Sequence, residues 1–368
     1  MGFFSFCPNP TCPYHQKAPS ERWYVALGHY HTKCFGEVPR YRCKACGRIF
    51  SSQTFSLNYF AKKDLSYAHL ERLLASSMSQ RALARHFMVS LGTIANRIGR
   101  LSRQTLALHH KLCPHAHPSE PVCIDGFVSF DHSQYFPNNC TIAISAQSQF
   151  ILALTHATLR RSGRQTDAQR RRASALYRHT TFEPRALQRS FADMLDELSR
   201  VRPATACRPL LLITDEKLDY ARALTAHPSR MHYHHLTVNS HRPRTSTNPL
   251  FASNYLDREL RKDLAEHRRE TVCCARNVAN MLERLIVYMG WHNYVKPYRI
   301  GKGTKECSHA EMAGIPKALI QNERQTLFRE RAFLTRVNLS ALERRLWLRG
   351  FATPLKKTPE TLPAFALT

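Results

Sequence analysis

Three aspartates and four cysteines carry the chemistry this sequence could do. In "RPLLLITDEKLDYARAL" (208–224) the apolar run Leu210 to Ile213 leads into Thr214 and then two adjacent carboxylates, Asp215 and Glu216, before the pattern turns helical. In "PVCIDGFVSF" (121–130) an apolar strand is interrupted by Asp125, and a buried carboxylate must find a positive partner. In "NPLFASNYLDRELRKDL" (248–264), Asn254 is a candidate N-cap and Leu256, Leu260 and Leu264 mark a helical face on which Asp257 falls. Glu259 instead shares a stripe with Lys262, Asp263 and Glu266 that reads as solvent-facing, yet it stays open as an alternative third acid. Carboxylates at the ends of elements suit hard divalent cations, Mg²⁺ or Mn²⁺. Two bridged ions can activate a water or a 3′-hydroxyl and stabilise the leaving oxygen of an in-line displacement at phosphorus. Taken singly, Asp215 also fits a helix cap and Asp125 a turn residue before Gly126.

The cysteines form two knuckles, Cys7 and Cys12 in "CPNPTC" and Cys43 and Cys46 in "YRCKACG". Two tight turns, each presenting two thiolates to a tetrahedral Zn²⁺, close a β-module too short to bury a core of its own. The intervening "ERWYVALGHYHTK" alternates like a strand, and "RYRCKACGRIFS" reads as a hairpin arm with the second knuckle at its turn. Cys34, His15, His29 and His31 are left outside the ligand set. No βαβ pattern surrounds Cys43 and Cys46, which argues against a redox pair.

The elements that must position these residues begin with "DLSYAHLERLLASSMSQRALARHFMVSLGTIANRIGRLSRQTLAL". Apolar spacing gives one helix through Leu65, Leu70, Leu73 and Leu74. A second opens at Ser79 with Leu83, Ala84 and Phe87, and a third carries Ile94, Ile98 and Leu101 after a turn at "MVSLG". This is the pattern of a helix-turn-helix. Its third helix would lie in the major groove of DNA, with Thr93, Asn96, Arg97 and Arg100 on the polar face; a plain three-helix bundle fits the periodicity as well. After the polar stretch 112–120 come three apolar strands, a very basic segment (160–179), an amphipathic helix, the strand ending at Asp215, and two further helices. The histidine run "HPSRMHYHHLTVNSHRPR" shows no helical pairing and reads as a segment facing DNA, which Trp291, His292 and Asn293 could also contact.

Composition limits the partner. The chain has 368 residues, and 54 Lys+Arg against 27 Asp+Glu leave a formal charge of +27. An excess of that size, spread along the chain, points to a polyanion, because each neutralised phosphate releases condensed counterions. No apolar run approaches the ~20 residues of a membrane-spanning helix, so no membrane association and a cytoplasmic location are expected.

Together, "RYRCKACGRIFS", the helix-turn-helix, the "IDGF" and "ITDEK" acids, "NYLDRELR…RRET…ARN…HNY.KP.R" and "SHAEMAGIP" resemble a zinc-ribbon DDE transposase of a bacterial insertion sequence, from Cys7 to about Ile315. The resemblance implies a multidomain chain. Its parts would be a zinc ribbon (1–58), a helix-turn-helix DNA-binding domain (59–110), a linker (111–120), an α/β ribonuclease H-like catalytic domain with a mixed sheet and C-terminal helices (121–300), and a tail (301–368). It further implies Mg²⁺-dependent cleavage at the element's ends in double-stranded DNA and joining to target DNA. A homo-oligomer associated with the bacterial nucleoid would do this with a D-D-D/E site. In such enzymes the third acid is usually glutamate, within a pattern resembling N-x-x-E-R-x-x-R; here Asp257 holds that position. Arg258, Arg261 and Arg269 lie where positive charge could clamp a phosphate. The rival reading is a non-catalytic zinc-ribbon and helix-turn-helix DNA-binding regulator; a nuclease differs only in what accepts the phosphoryl group.

Overall fold

Alternating residues near the N-terminus pair as a three-stranded antiparallel sheet of β1 (Tyr24–Thr32), β2 (Gly36–Cys43) and β3 (Ile49–Ser51), preceded by the one-turn helix α1 (Pro13–Gln16). The structure, a computed structural model, describes residues 4–268, 273, 275–299, 307–356 and 360–368. Among the described residues, Trp23, Tyr24, Phe50 and three of the knuckle cysteines cluster as the buried centre of this sheet, with the Trp23 and Phe50 rings stacked at 5.4 Å. So little apolar area cannot by itself offset the chain entropy of ordering the module.

Serines then start each of the next three helices. Ser66, Ser79 and Ser90 accept hydrogen bonds from the backbone N–H groups of His69, Ala82 and Thr93, and open α2 (Tyr67–Ala75), α3 (Gln80–His86) and α4 (Leu91–Leu112). The helical trio agrees with the periodicity, but α4 is no surface helix. Every residue from Arg97 to Leu106 is buried, because α4 runs lengthwise against α9 (Val278–Tyr294). Two glycines allow the close approach. A Cβ on Gly290 would lie 2.5 Å from Thr105 Cγ2, and one on Gly99 would lie 2.9 Å from Glu283 Oε1. Thr105 is fully buried and its hydroxyl donates to Leu101 O at 2.9 Å, so it has little room to turn aside. For Gly290→Ala the gain in helix propensity, about 1 kcal/mol, is outweighed by overpacking of about 1–3 kcal/mol. We expect a lower urea midpoint with an unchanged m-value.

The stretch expected as a linker, 111–120, is also built in. Leu112, Cys113, Ala116 and Glu120 are buried. Glu120 accepts from the backbone N–H groups of Gln147 and Ser148 at 2.7 and 2.5 Å. Fully buried Arg202 donates to Ala116 O at 3.1 Å. Polar composition had suggested solvent, but these polar groups find their partners inside the fold.

The second sheet has five strands in the order β6-β5-β4-β7-β8. β4 (Val122–Asp131), β5 (Ser133–Ser145) and β6 (Ile151–Thr158) form an antiparallel meander, and β7 (Leu210–Asp215) and β8 (Tyr233–Val238) add on parallel to β4. Between β6 and β7 come α5 (Asp167–Tyr177), most of whose residues are exposed, and α6 (Ala186–Val201); α7 (Leu218–Ala226) follows β7. Alternation along β4 divides the core. Val122 and Ile124 join α6 and α7 on one face, whereas Cys123 and Phe127 join α8 (Phe251–Asp263) and α9 on the other. α8 starts at Phe251, so Asn254 is an interior residue rather than its cap.

β8 occupies part of the histidine run read as a segment facing DNA. Its burial is mixed because it is an edge strand, and its main chain pairs with β7 whatever its side chains are. The tail beyond 301 returns to the core through α10 (His309–Met312), α11 (Lys317–Leu327) and α12 (Ala341–Trp347), with Leu342, Leu346 and Trp347 in the cluster around α4 and α9.

Candidate metal centres

The four knuckle cysteines converge. Their Sγ atoms all lie within 4.8 Å of one another, with Cys7 to Cys46 at 3.7 Å and Cys12 to Cys43 at 3.8 Å. A tetrahedron of sulfurs with Zn–S bonds of about 2.3 Å has edges of about 3.8 Å, so the cluster could bind a structural zinc. Gly47, at φ 70°, turns the chain just past Cys46. Burial pushes the Cys7 and Cys12 thiols up. At Cys46 burial acts the same way but is outweighed by the Arg48 N–H and the Asn9 side chain, and the thiol comes down to about 7. His15 uses both ring nitrogens elsewhere, on Cys7 O at 2.6 Å and Thr335 Oγ1 at 2.9 Å, and is no ligand.

The acids come from three separate elements. β4 and β7 are in register as Val122↔Leu212 and Cys123↔Ile213, so continuing two residues along both parallel strands brings Asp125 level with Asp215. Lys217 lies between them, its Nζ 3.2 Å from Asp215 Oδ2 and 3.8 Å from Asp125 Oδ1. Burial, only partly offset by Lys217, raises the Asp125 carboxyl, and the charge of Asp215 adds to the rise. On α8, Asp257 is pushed up to about 7, first by burial and then by the charge of Asp125, against Arg261, Arg244 and Lys217. Asp125, Asp215 and Asp257 also all raise the hydroxyl of buried Tyr220. The three thus share one field, although their oxygens do not all come within 4.8 Å of one another; among the described residues only the cysteines do.

This arrangement links stability to pH. Asp257 titrates near 7 when folded and near 3.8 when unfolded, so stability is full below about 4 and is lost progressively as pH rises through about 7. A rise of this size has a ceiling of about 4 kcal/mol. Solvent screens this partly exposed group, so Asp257→Asn should raise the unfolding free energy by about 1–2 kcal/mol at pH 8 and leave it unchanged at pH 4. Urea titrations of both proteins at the two pH values check this; parallel curves would remove Asp257 from the repulsive group.

Glu259, read from the sequence as solvent-facing, is buried instead. Lys262 Nζ approaches it at 2.6 Å and Lys296 also pairs with it; burial would raise its carboxyl, but the two ammonium groups hold it below its ordinary value. It balances Lys262 and Lys296. Glu216 accepts from Asn239 Nδ2 at 3.3 Å and Ser240 N at 3.4 Å, on the loop after β8. Arg261 lies 4.8 Å over the Phe127 ring, near Asp257; Arg258 is exposed; Arg269 lies outside the described residues. Two participants escaped the sequence reading. Lys217 was visible beside the acids in "TDEK", whereas Arg244, in the irregular "HRPR", carried no sign that its loop returns to the site.

The expected DNA-reading set divides. Thr93 and Asn96 are partly exposed near the start of α4. Arg97 is buried and donates to Tyr67 Oη at 3.0 Å and Lys63 O at 2.8 Å; Arg100 donates to Leu57 O at 2.9 Å and Tyr59 O at 2.6 Å. These two guanidiniums are occupied by Tyr67 and the segment before α2 and do not belong to a base-reading face. The exposed surface at this corner carries Arg81, Arg85, Met88 and Leu91 instead. His292 and Asn293 are likewise fully buried, and Asn293 holds β6 by exchanging two hydrogen bonds with the main chain of Ile151 at 2.9 and 2.8 Å.

No helix among the described residues is long and apolar enough to cross a membrane. No protein-family model matches the chain, and no curated protein matches it either.

Proposed function

We propose that this chain is a metal-dependent DNA-cutting and joining enzyme, a zinc-ribbon DDE transposase that binds the ends of its insertion sequence as a homo-oligomer. The observation that carries the reading is the level placement of Asp125 and Asp215 on adjacent parallel strands, with Asp257 close enough in charge to respond to Asp125. The sheet order, an antiparallel meander extended by two parallel strands, agrees with a ribonuclease H-like catalytic domain. The charge of +27 and the exposed basic corner at α3 and α4 support a duplex DNA partner.

The residues suit a divalent cation, since the Lys217 ammonium already lies between Asp125 and Asp215 as a stand-in positive charge. Asp125, Asp215 and Asp257 would hold Mg²⁺ or Mn²⁺, which supplies charge stabilisation at the reacting phosphate and a more acidic attacking hydroxyl. Lys217, on a flexible stem, would turn from the carboxylates towards the incoming phosphate. Arg244 and Arg261 keep positive charge at the same mouth, where a phosphate diester needs it.

The test incubates the protein with labelled DNA that flanks its gene. With Mg²⁺ or Mn²⁺ it should yield nicked ends and joined products, and with Ca²⁺ alone bound but uncut DNA. Binding without cleavage under every divalent ion would leave a DNA-binding regulator as the better account.

A further inference from the structure

Between the three-stranded sheet and the C-terminal segment lies a cleft of about 460 Å³. Tyr30, Arg40, Arg48, Tyr59, Phe60 and Phe365 contribute to its walls, and no aspartate or glutamate among the described residues does. Phe60 is 81% exposed and held at φ 52°, an uncommon backbone state for a bulky side chain, which keeps its ring at the cleft against Tyr59 at 5.2 Å. Arg40 and Arg48 are exposed, and neither guanidinium has a hydrogen bond or ion pair among the described residues. Deeper in the wall, Gln53 Nε2 and the Tyr59 hydroxyl are buried with no hydrogen-bond partner. Buried donors without acceptors are costly, and the cost falls when a ligand brings acceptors to them.

Aromatic faces, free guanidiniums and orphaned donors together match one chemistry. A nucleotide has a π-face, a phosphate and acceptor atoms on its base edge. A duplex hides its base faces in the stack, and a cleft of this size does not admit one; an unpaired strand offers what the walls lack. An acidic peptide would pair with the arginines but leave the Phe60 face and the Gln53 amide unused. We propose that this cleft binds one or two unpaired nucleotides of a DNA strand, with Phe60 stacked on a base and Arg40 and Arg48 at the flanking phosphates. This rests on the nucleic-acid partner proposed above but not on the acid trio.

Binding of a labelled oligothymidylate of about fifteen nucleotides, of oligouridylate RNA and of a duplex of equal length is measured by anisotropy, with the whole 368-residue chain loaded with zinc and no other divalent ion. Phe60→Ala should weaken the single strand about tenfold, as loss of one stacked base does, and leave the duplex within about twofold. The Arg40→Ala/Arg48→Ala double variant should lower the single-strand salt slope by about 1.4, for two phosphates. Both changes are at exposed positions, and unchanged circular dichroism reports the fold. Single-strand affinity within about twofold of wild type in both variants overturns the proposal, as does a preference for oligouridylate RNA that Phe60→Ala abolishes. Without a catalytic metal the result is independent of whether the chain cuts DNA.

Discussion

Asp215→Asn and Asp125→Asn should each reduce Mg²⁺-dependent DNA cleavage by about a thousandfold or more, while duplex binding stays unchanged or tightens. An amide is isosteric with the carboxylate but carries no charge, so it cannot anchor a cation that contributes several kcal/mol to the reacting phosphate; about 4 kcal/mol corresponds to three orders of magnitude. Binding moves the other way because a negative charge near the DNA backbone has been removed. The two variants should also differ in the resting protein. Asp215→Asn deprives Lys217 of its nearer partner at 3.2 Å, whereas Asp125→Asn leaves that ion pair and removes the charge that adds to burial in raising Asp257. The Asp257 carboxyl should therefore titrate lower in Asp125→Asn, visible as a shift in the pH dependence of urea unfolding. Glu216→Gln, on the loop side, should retain cleavage. Full cleavage by Asp215→Asn would end the metal-site reading.

Removing zinc should have the second large effect. The apparent free energy of a four-thiolate site, about 10–16 kcal/mol, is comparable to the ~5–15 kcal/mol stability of a whole domain. The aromatic centre of β1–β3 is far too small to replace it. We expect purified protein to carry one zinc per chain, and Cys46→Ser or a strong chelator to melt residues 4 to about 55. The contacts that dock this module on the C-terminal segment should go with it, including His15 to Thr335 at 2.9 Å and the Arg336 guanidinium 4.2 Å from the Phe6 ring. The five-stranded sheet should survive, since its two cores contain no knuckle residue. Limited proteolysis with metal analysis reads this out: new cleavage confined to the first 55 or so residues is the expected pattern. Resistance to protease in protein shown to be metal-free would mean that the cysteines are not a structural centre.

How much was legible before any fold was known depends on where the information resides. The knuckles, the serine caps and the apolar strands are written in neighbouring residues, because turn geometry, capping and side-chain alternation act over two to four positions. Asp215 at a strand end and Asp257 on an inward helical face follow from the same short-range rules. Other features depend on what arrives from far along the chain. Arg97 and Arg100 fall on a polar helical stripe, which periodicity alone reads as solvent, until the backbone carbonyls of Leu57, Tyr59 and Lys63 cover it. Glu259 is hidden for the same reason: Lys296, in the turn after α9, makes its burial tolerable. β8 has no apolar signature because its hydrogen bonds to β7 come from main chain that every residue carries.

Short windows of sequence were enough to place the cysteine knuckles, the helical trio, the meander of strands and Asp215 at a strand end, since each is a local preference summed over a few residues. Long-range packing, by contrast, puts α4 in the core, brings Asp125 level with Asp215, and gives Lys217 and Arg244 a share in their field. Register between strands ninety residues apart, and the partner that makes a buried charge affordable, are set by packing across the fold, which no short window of sequence contains.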